Sequence, residues 1–357
     1  MKKMWIGLGT TVLALGTVVY FALQRWDGSN AAKRGDLLAL MPPDASAVLF
    51  ADFEELRHSP FIAGLYAWAP KPQADADYAQ FLAETGFDYE RDLRRLAIAV
   101  VKQGQDSPLF AVVDGRFDRQ KISAYAAKTG TVAGGAGRDI YTVPLSGTAK
   151  KISFAFLGEH RMALTDGSDP GILLSTKKQS GDASEWRSRF ERLAGSPVFA
   201  VIRQDAGAGT ALAAQAPGGL RSPQLSALLD QLQWITLAGK PDNDRLRVVA
   251  EGECTAEPTA RQLVDLLNGV VVLAQAGLND AKARQQLDPA ARAAYLELLR
   301  SVDVSKVDRG DTKSVRLVFE ITPKFLEAAR ATPQIAPDSA RKKPPPGKPV
   351  KVGKGHS

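Results

Sequence analysis

The sequence is poor in the side chains that bind metals or carry redox chemistry. It contains one cysteine, Cys254, and three histidines among 357 residues. A single cysteine cannot form an intrachain disulfide, a zinc–thiolate cluster or a Cys-x-x-Cys redox pair, and we expect Cys254 to be a small apolar residue at a strand end. His58, His160 and His356 have no second His or Cys at ligand spacing, so the sequence predicts no metal and no cofactor.

The folded body also lacks an excess of charge of one sign. The formal net charge is +7, but residues 331–357 contribute six basic residues and one acidic residue, and Lys2 and Lys3 add two more positive charges. Residues 4–330 therefore hold 46 − 8 = 38 basic and 39 − 1 = 38 acidic residues. Nucleic-acid binding relies on a basic face that displaces counterions from phosphates. The neutral body argues against a DNA or RNA partner.

No familiar catalytic motif is present in full. Lys128-Thr-Gly130 and the run from Ser175 to Lys178 resemble two motifs of penicillin-binding serine enzymes, but they occur in reversed order, and the Ser-Asp-Asn motif is missing. We interpret the first as a helix C-cap and the second as a polar helix end. Residues 88–95 alternate acids with arginines, a pattern typical of a solvated helix face. We therefore assign no catalytic residue from the sequence.

The N-terminal region carries the most specific signal. Residues 5–23 form a run of 19 residues without a charge. As a helix this run reaches about 28 Å, close to the ~30 Å thickness of a bilayer's hydrocarbon core. Trp5 at one end and Tyr20, Phe21 and Trp26 at the other fit interfacial positions. The run exceeds the usual apolar stretch of a cleaved signal peptide, which favours an anchor. We expect the short basic N-terminus on the cytoplasmic side of the inner membrane and the remaining chain on its extracytoplasmic side.

The pattern after the anchor predicts an α+β protein. We expect an anchor at 1–24, a polar tether at 25–41, a first domain at 42–180, a second domain at 181–332 and a disordered basic tail at 333–357. Short apolar strands come in pairs around tight turns, and helices follow the pairs. Such hairpins indicate two tandem domains with mainly antiparallel sheets and helices packed on them.

The two domains follow a similar order of strands and helices, which suggests an internal duplication. In one alignment, residues 92–99 match residues 230–237, and Val112-Val-Asp-Gly115 matches Val249-Ala-Glu-Gly252 with a one-residue slip. A rival alignment places residues 107–113 over residues 196–202. Both remain open at this point.

The tail differs in composition from the rest of the chain. It is rich in proline and lysine, a composition typical of extended, disordered segments. Beyond serving as a solvated terminus, it offers positive charge for an anionic envelope surface such as lipid headgroups or wall polymers. The lysines concerned are Lys342, Lys343, Lys348, Lys351 and Lys354.

Three short stretches stand out in the body: residues 41–48 (MPPDASAV), 55–60 (ELRHSP) and 87–93 (FDYERDL). Together they resemble a bacterial family of N-terminally anchored extracytoplasmic proteins of unknown function. The resemblance implies an envelope location but carries no active site. We expect a non-catalytic binding or scaffolding protein of the envelope, and the alternative is an exported hydrolase whose site has no recognised motif.

Overall fold

The structure, a computed structural model, describes residues 34–68, 76–102, 107–135, 137–145, 148–174, 184–193, 195–204, 227, 230–310 and 312–331. Their strands form one twelve-stranded sheet in which every neighbouring pair is antiparallel. The strand order is β11-β12-β10-β9-β8-β1-β2-β3-β7-β6-β5-β4. Helices pack on this sheet, so the predicted α+β class with antiparallel pairing is confirmed.

The strand bounds are β1 Ala45–Asp52, β2 Leu93–Val101, β3 Leu109–Gly115, β4 Thr131–Gly135, β5 Arg138–Pro144, β6 Lys151–Phe156, β7 Arg161–Thr165, β8 Val198–Arg203, β9 Leu232–Asp242, β10 Arg245–Cys254, β11 Asp303–Arg309 and β12 Thr312–Ile321. The helix bounds are α1 Arg34–Leu38, α2 Phe53–Leu56, α3 Pro60–Trp68, α4 Ala76–Thr85, α5 Tyr89–Asp92, α6 Arg119–Thr129, α7 Ser184–Leu193, α8 Glu257–Asn279, α9 Ala281–Gln286, α10 Pro289–Arg300 and α11 Pro323–Ala331, and a 3₁₀ helix covers Pro170–Leu173.

Local sequence explains where several elements begin and turn. Asp118 lies at the N-cap of α6, where its side chain accepts a hydrogen bond from the Lys121 amide, as short polar side chains do at helix starts. The β9–β10 hairpin turns through Asn243, whose φ is +53°. Asparagine tolerates this left-handed conformation better than most residues. Local turn chemistry therefore accounts for the tight turn between these two strands.

Both faces of the sheet are covered, by different helices. The front face is the side on which β1 presents Val48 and Phe50, and α1, the 3₁₀ helix and α7 pack against it. The back face is the side on which β2 presents Leu96 and Ile98. Helices α2, α3 and α6 cover it over the first half of the chain, and α8 covers it over the second half. The central strands are buried on both sides, which explains their nearly continuous apolar sequences.

The first and second halves of the chain contribute to the same sheet. Strand β1 lies between β2 and β8, with Phe50 opposite Phe199 and their rings stacked at 5.0 Å. The folded body also begins earlier than the predicted boundary at residue 42. Residues 34–38 form α1, and Leu37 and Leu38 are buried in the front core, so this part of the predicted tether is corrected.

The anchor predicted at residues 5–23, and the tail predicted at 333–357, lie outside the described residues. Within the part that the structure describes, no helix has both the length and the hydropathy needed to cross a membrane. Strand β4 and helix α7 were not predicted. Strand β4 has only five residues, two of them glycine, so it shows no apolar alternation. Helix α7 carries five charged residues among ten, but Trp186, Phe190 and Leu193 recur at helical spacing, which is the signal that could have predicted it.

Candidate functional site

The front face carries two buried networks of charged side chains, and the first lies in the first half of the chain. Arg95 of β2 is 2% exposed. Its guanidinium lies 3.1 Å from the Asp52 carboxylate, 3.2 Å from Glu54 and 3.9 Å from Asp114. Strand register places Asp52 and Asp114 opposite Arg95 on either side. One arginine thus joins three carboxylates from two strands and helix α2.

A second arginine completes this first network. Arg161 of β7 lies opposite Asp114 and holds both of its carboxylate oxygens, at 2.6 and 3.0 Å. These hydrogen bonds raise the pKa of Arg161 above its ordinary value, against the opposing effect of burial. Bidentate contacts of this kind fix geometry as well as charge. The network therefore ties four strands together at their ends.

The second network is centred on Glu253 of β10, which is 2% exposed. Its carboxylate accepts hydrogen bonds from Arg189 and from Arg192, the latter at 2.5 Å. Both arginines belong to α7. The Arg189 guanidinium also lies 3.9 Å from the centre of the Trp234 ring, a cation–π contact. Glu253 therefore fixes α7 to the front face of the sheet.

Glu251 lies two residues before Glu253, on the same face of β10. It pairs with Arg309 of β11, with a second contact to that guanidinium at 2.9 Å, and with Arg316 of β12 at 3.3 Å. Burial raises the pKa of Glu251, but hydrogen bonds from Arg309 and the charges of Arg309, Arg192 and Arg316 outweigh it, so the net shift is downward. This carboxylate is held ionised, and its geometry suits a structural role.

Two of the clefts in the described part of the chain have residues of both halves or of several strands in their lining, and both are modest in size. The first, about 150 Å³, opens at one end of β2, β3 and β7 on the front side, and the second, about 250 Å³, lies between α3 and α11. Both fall below the ~300–1,000 Å³ typical of ligand pockets. The second is lined by Pro60, Phe61, Gly64, Leu65, Asp244, Pro323, Leu326 and Glu327.

The histidines considered from the sequence do not meet. The Nδ1 atom of His58 lies 2.7 Å from the carbonyl oxygen of Glu54, in the turn after α2. His160 is exposed in the β6–β7 turn, and His356 lies outside the described residues. Among the residues that the structure describes, no three His, Cys, Asp or Glu side chains are grouped to hold a metal ion.

The motif interpretations have mixed outcomes. Gly130 is the C-cap of α6, and Lys128 pairs with Glu84 at 3.0 Å, so the interpretation of this motif as a helix end is confirmed. The Ser175–Lys178 run lies outside the described residues. The interpretation of residues 88–95 as a solvated helix face is wrong, because Asp92 and Arg95 are buried and the second belongs to a strand.

Cys254 is the last residue of β10 and is 5% exposed. Burial raises the pKa of its thiol to about 11. Its neighbours in the back-face core are apolar, among them Leu232, Ile235 and Leu263. The expectation of a small apolar residue at a strand end is confirmed.

Comparison with known proteins adds an outline resemblance. No family model matches the sequence, and no curated relative matches it. Crystal form IV of TP0453 is similar in fold, with a TM-score of 0.44 and 12% sequence identity over 83% of this chain and 96% of that chain. Crystal form I of TP0453 gives a TM-score of 0.42 and 12% identity over 85% of this chain and 97% of that chain. No functional assignment follows from these values.

Proposed function

We propose that this chain is a membrane-anchored extracytoplasmic protein that binds or scaffolds other components of the bacterial envelope without catalysis. The observation that carries the proposal is the uncharged run at residues 5–23, which precedes a large folded body of neutral net charge. Such a run is long enough to span a bilayer. The proposed arrangement is a single pass through the inner membrane with the body on the periplasmic side.

A binding or scaffolding role is supported by how the buried charges are used. A catalytic acid or base has to be accessible to a substrate and within reach of the proton that it transfers. Arg95, Glu251 and Glu253 are instead enclosed and engaged by fixed ion pairs that join strands and helices. These groups stabilise a rigid sheet on which the outer surfaces of the body are displayed.

The basic tail is proposed as a second contact with the envelope. Its five lysines, Lys342, Lys343, Lys348, Lys351 and Lys354, would approach anionic lipid headgroups or wall polymers, each basic residue near an anionic membrane being worth about 1 kcal/mol. No nucleic acid is proposed as a partner, because the body carries no net positive charge.

We further propose that the body arose by duplication of one α+β unit, giving tandem domains of which the first ends near residue 180 and the second covers 181–332. Support comes from equivalent pairings in the two halves. Asp114 of β3 lies opposite Arg161 of β7, and Glu251 of β10 lies opposite Arg316 of β12. The alignment of residues 112–115 with 249–252 places these two acids over each other. A profile of homologues of the first half should align to the second half in this register, and a better alignment in the rival register would contradict the proposal.

Membrane placement is tested by fractionating cells that express the full chain. We expect the protein in the membrane pellet after carbonate washing, and its body degraded when protease is added to spheroplasts. The variant L13R/V18R places two charges in the run, each costing about 2.5–3.5 kcal/mol at a helix centre, and should leave the pellet. A variant with the five tail lysines changed to glutamine is the control and should stay in it. Recovery of the unaltered chain from the cytosol would refute the proposal.

A further inference from the structure

Helix α8 presents an apolar ridge to solvent on the side that faces away from the sheet. Its inner side is anchored by Ala260 and Leu263, which are buried against β12 and the end of β10. On its outer side Val272 is 62% exposed and Leu273 is 72% exposed. The other exposed large apolar residues in the described part of the chain are at most 47% exposed. Adjacent apolar side chains exposed to this degree are typical of an interaction surface.

The ridge lies within a stripe that runs the length of the helix. Arg261, Asp265, Gly269 and Ala276 are exposed with the ridge, and their spacing of three, four and seven residues places them on one helical face. A Cβ atom built at Gly269 would meet nothing within 4 Å, so this position forms a shallow gap beside Val272. A second helix can therefore approach the α8 backbone closely there.

The charges along the stripe favour a second copy of the same helix as the partner, packed antiparallel. Arg261 is exposed near the N-terminus of α8, and Asp280 is exposed at its C-cap. A parallel copy of the helix would place like charges side by side. An antiparallel copy places Arg261 beside Asp280 of the second copy at both ends, and it also aligns opposite ends of the two helix dipoles. The pattern is self-complementary in the antiparallel direction alone.

We propose that α8 is a homodimer interface in which two copies of the chain pack antiparallel about a twofold axis near residues 270 and 271. Gly269 then lies across from Val272 of the second copy, and both ridges leave water. A twofold axis repeats each contact, as isologous interfaces require. Glu257 bonds Lys306 as well as Arg261, both at 2.7 Å, so it keeps one cation when Arg261 turns to the second copy.

The dimer is a weak one, because a single helix pair buries less than the ~800 Å² per partner of a standard interface. We expect weak, reversible association, which analytical ultracentrifugation of the full chain in mild detergent can measure. V272D/L273D should weaken association at least about tenfold, because it places charges in the contact. V132D is the matched control, since Val132 is 47% exposed on β4 and its change should leave association unaltered. Unaltered association in V272D/L273D, or a chain that stays monomeric at millimolar concentration, overturns the proposal.

Cysteine cross-linking tests the direction of packing. In a C254A background, D265C and A276C are each introduced alone. Antiparallel packing places residue 265 across from residue 276 of the second copy, but separates equivalent positions by about 16 Å along the axis. We expect disulfide dimers when the two variants are mixed and none from either variant alone. Dimers from each variant alone would show parallel packing and overturn the proposal. Monomeric protein in which a fluorophore at L273C becomes shielded on adding lipid vesicles would assign the ridge to a membrane surface and also overturn it.

Discussion

The substitution E253Q tests whether the Glu253 network holds α7 on the sheet. Glutamine keeps the shape of glutamate but removes the charge that two guanidiniums share. The Arg189 side chain is only 12% exposed, whereas that of Arg192 is 28% exposed and lies near Glu251. Arg192 therefore retains an acidic neighbour and some access to water. Arg189 keeps the face of Trp234 and a 2.7 Å hydrogen bond to the carbonyl oxygen of Glu185.

The expected loss follows from leaving one buried cation without its partner. Removing one member of a buried ion pair costs about 3–5 kcal/mol, and the contacts that Arg189 keeps with the Trp234 ring and the Glu185 carbonyl offset roughly 1 kcal/mol of that. We expect E253Q to lower the free energy of unfolding by about 3 kcal/mol. The control E257Q removes a carboxylate from an exposed pair with Lys306 and should lower the free energy of unfolding far less, because solvent screens such pairs.

Urea titration followed by tryptophan fluorescence provides the measurement, since the Trp186 and Trp234 rings lie 4.9 Å apart at this site. With a slope near ~3 kcal/mol per molar urea for a body of this size, the midpoint of E253Q should fall by about 1 M. The double variant R189M/E253Q removes the stranded cation and should recover more than half of the loss, because replacing both partners is far less costly than replacing one. A midpoint shift equal to that of E257Q, or no recovery in the double variant, would refute the reasoning.

Three further predictions concern packing, pH and thiol reactivity. G130A should destabilise the body by about 1–3 kcal/mol in the same titration, because its Cβ would lie 2.1 Å from the Thr142 carbonyl oxygen, whereas G134A meets nothing and should be nearly neutral. The pKa of Glu251 is lower in the folded chain than in the unfolded one, so its stabilising effect is complete above about pH 4.5 and is lost as the pH falls through the folded-state value. E251Q should therefore weaken the dependence of the melting temperature on pH between pH 5 and pH 3. An unchanged dependence would contradict this. Burial raises the pKa of Cys254 to about 11, so a thiol reagent at pH 8 should react with it only after urea is added. Rapid reaction of the native chain would show that Cys254 is not a buried, protonated thiol.

The sequence contained enough information to predict most of the fold, because period and turn chemistry act locally. The apolar runs at residues 46–51 and 198–203 form β1 and β8, and Pro258 and Pro289 lie in the first turns of α8 and α10, where helices tolerate proline. The order of the strands in the sheet could not be predicted from the sequence. Strand β1 pairs with β8, about 150 residues later in the chain, and no local pattern encodes which edge of one half meets which edge of the other.

The buried charges show why the sites were harder to predict than the strands. Arg95 follows Arg94 directly, and in the sequence the two are equivalent basic residues after the three acids of residues 88–92. The structure separates them by the alternation of a strand: Arg95 points to the front face, where Asp52 and Asp114 face it from the neighbouring strands. Its partners lie 43 and 19 positions away in the chain, so only strand register reveals that this charge is enclosed.

The same dependence on register connects the networks with the proposed history of the fold. A buried acid needs a cation within reach, and where that cation lies on the neighbouring strand at the opposite position, the acid and its arginine have to change together. The pairs Asp114–Arg161 and Glu251–Arg316 satisfy this condition at corresponding strands of the two halves, although the acid differs in length and Glu251 also pairs with Arg309. Two unrelated units would have had to acquire the same costly arrangement independently, whereas one duplicated unit would have inherited it. The location of the paired charges therefore bears more directly on the duplication than the apolar strand residues do, because valine and alanine recur in any sheet.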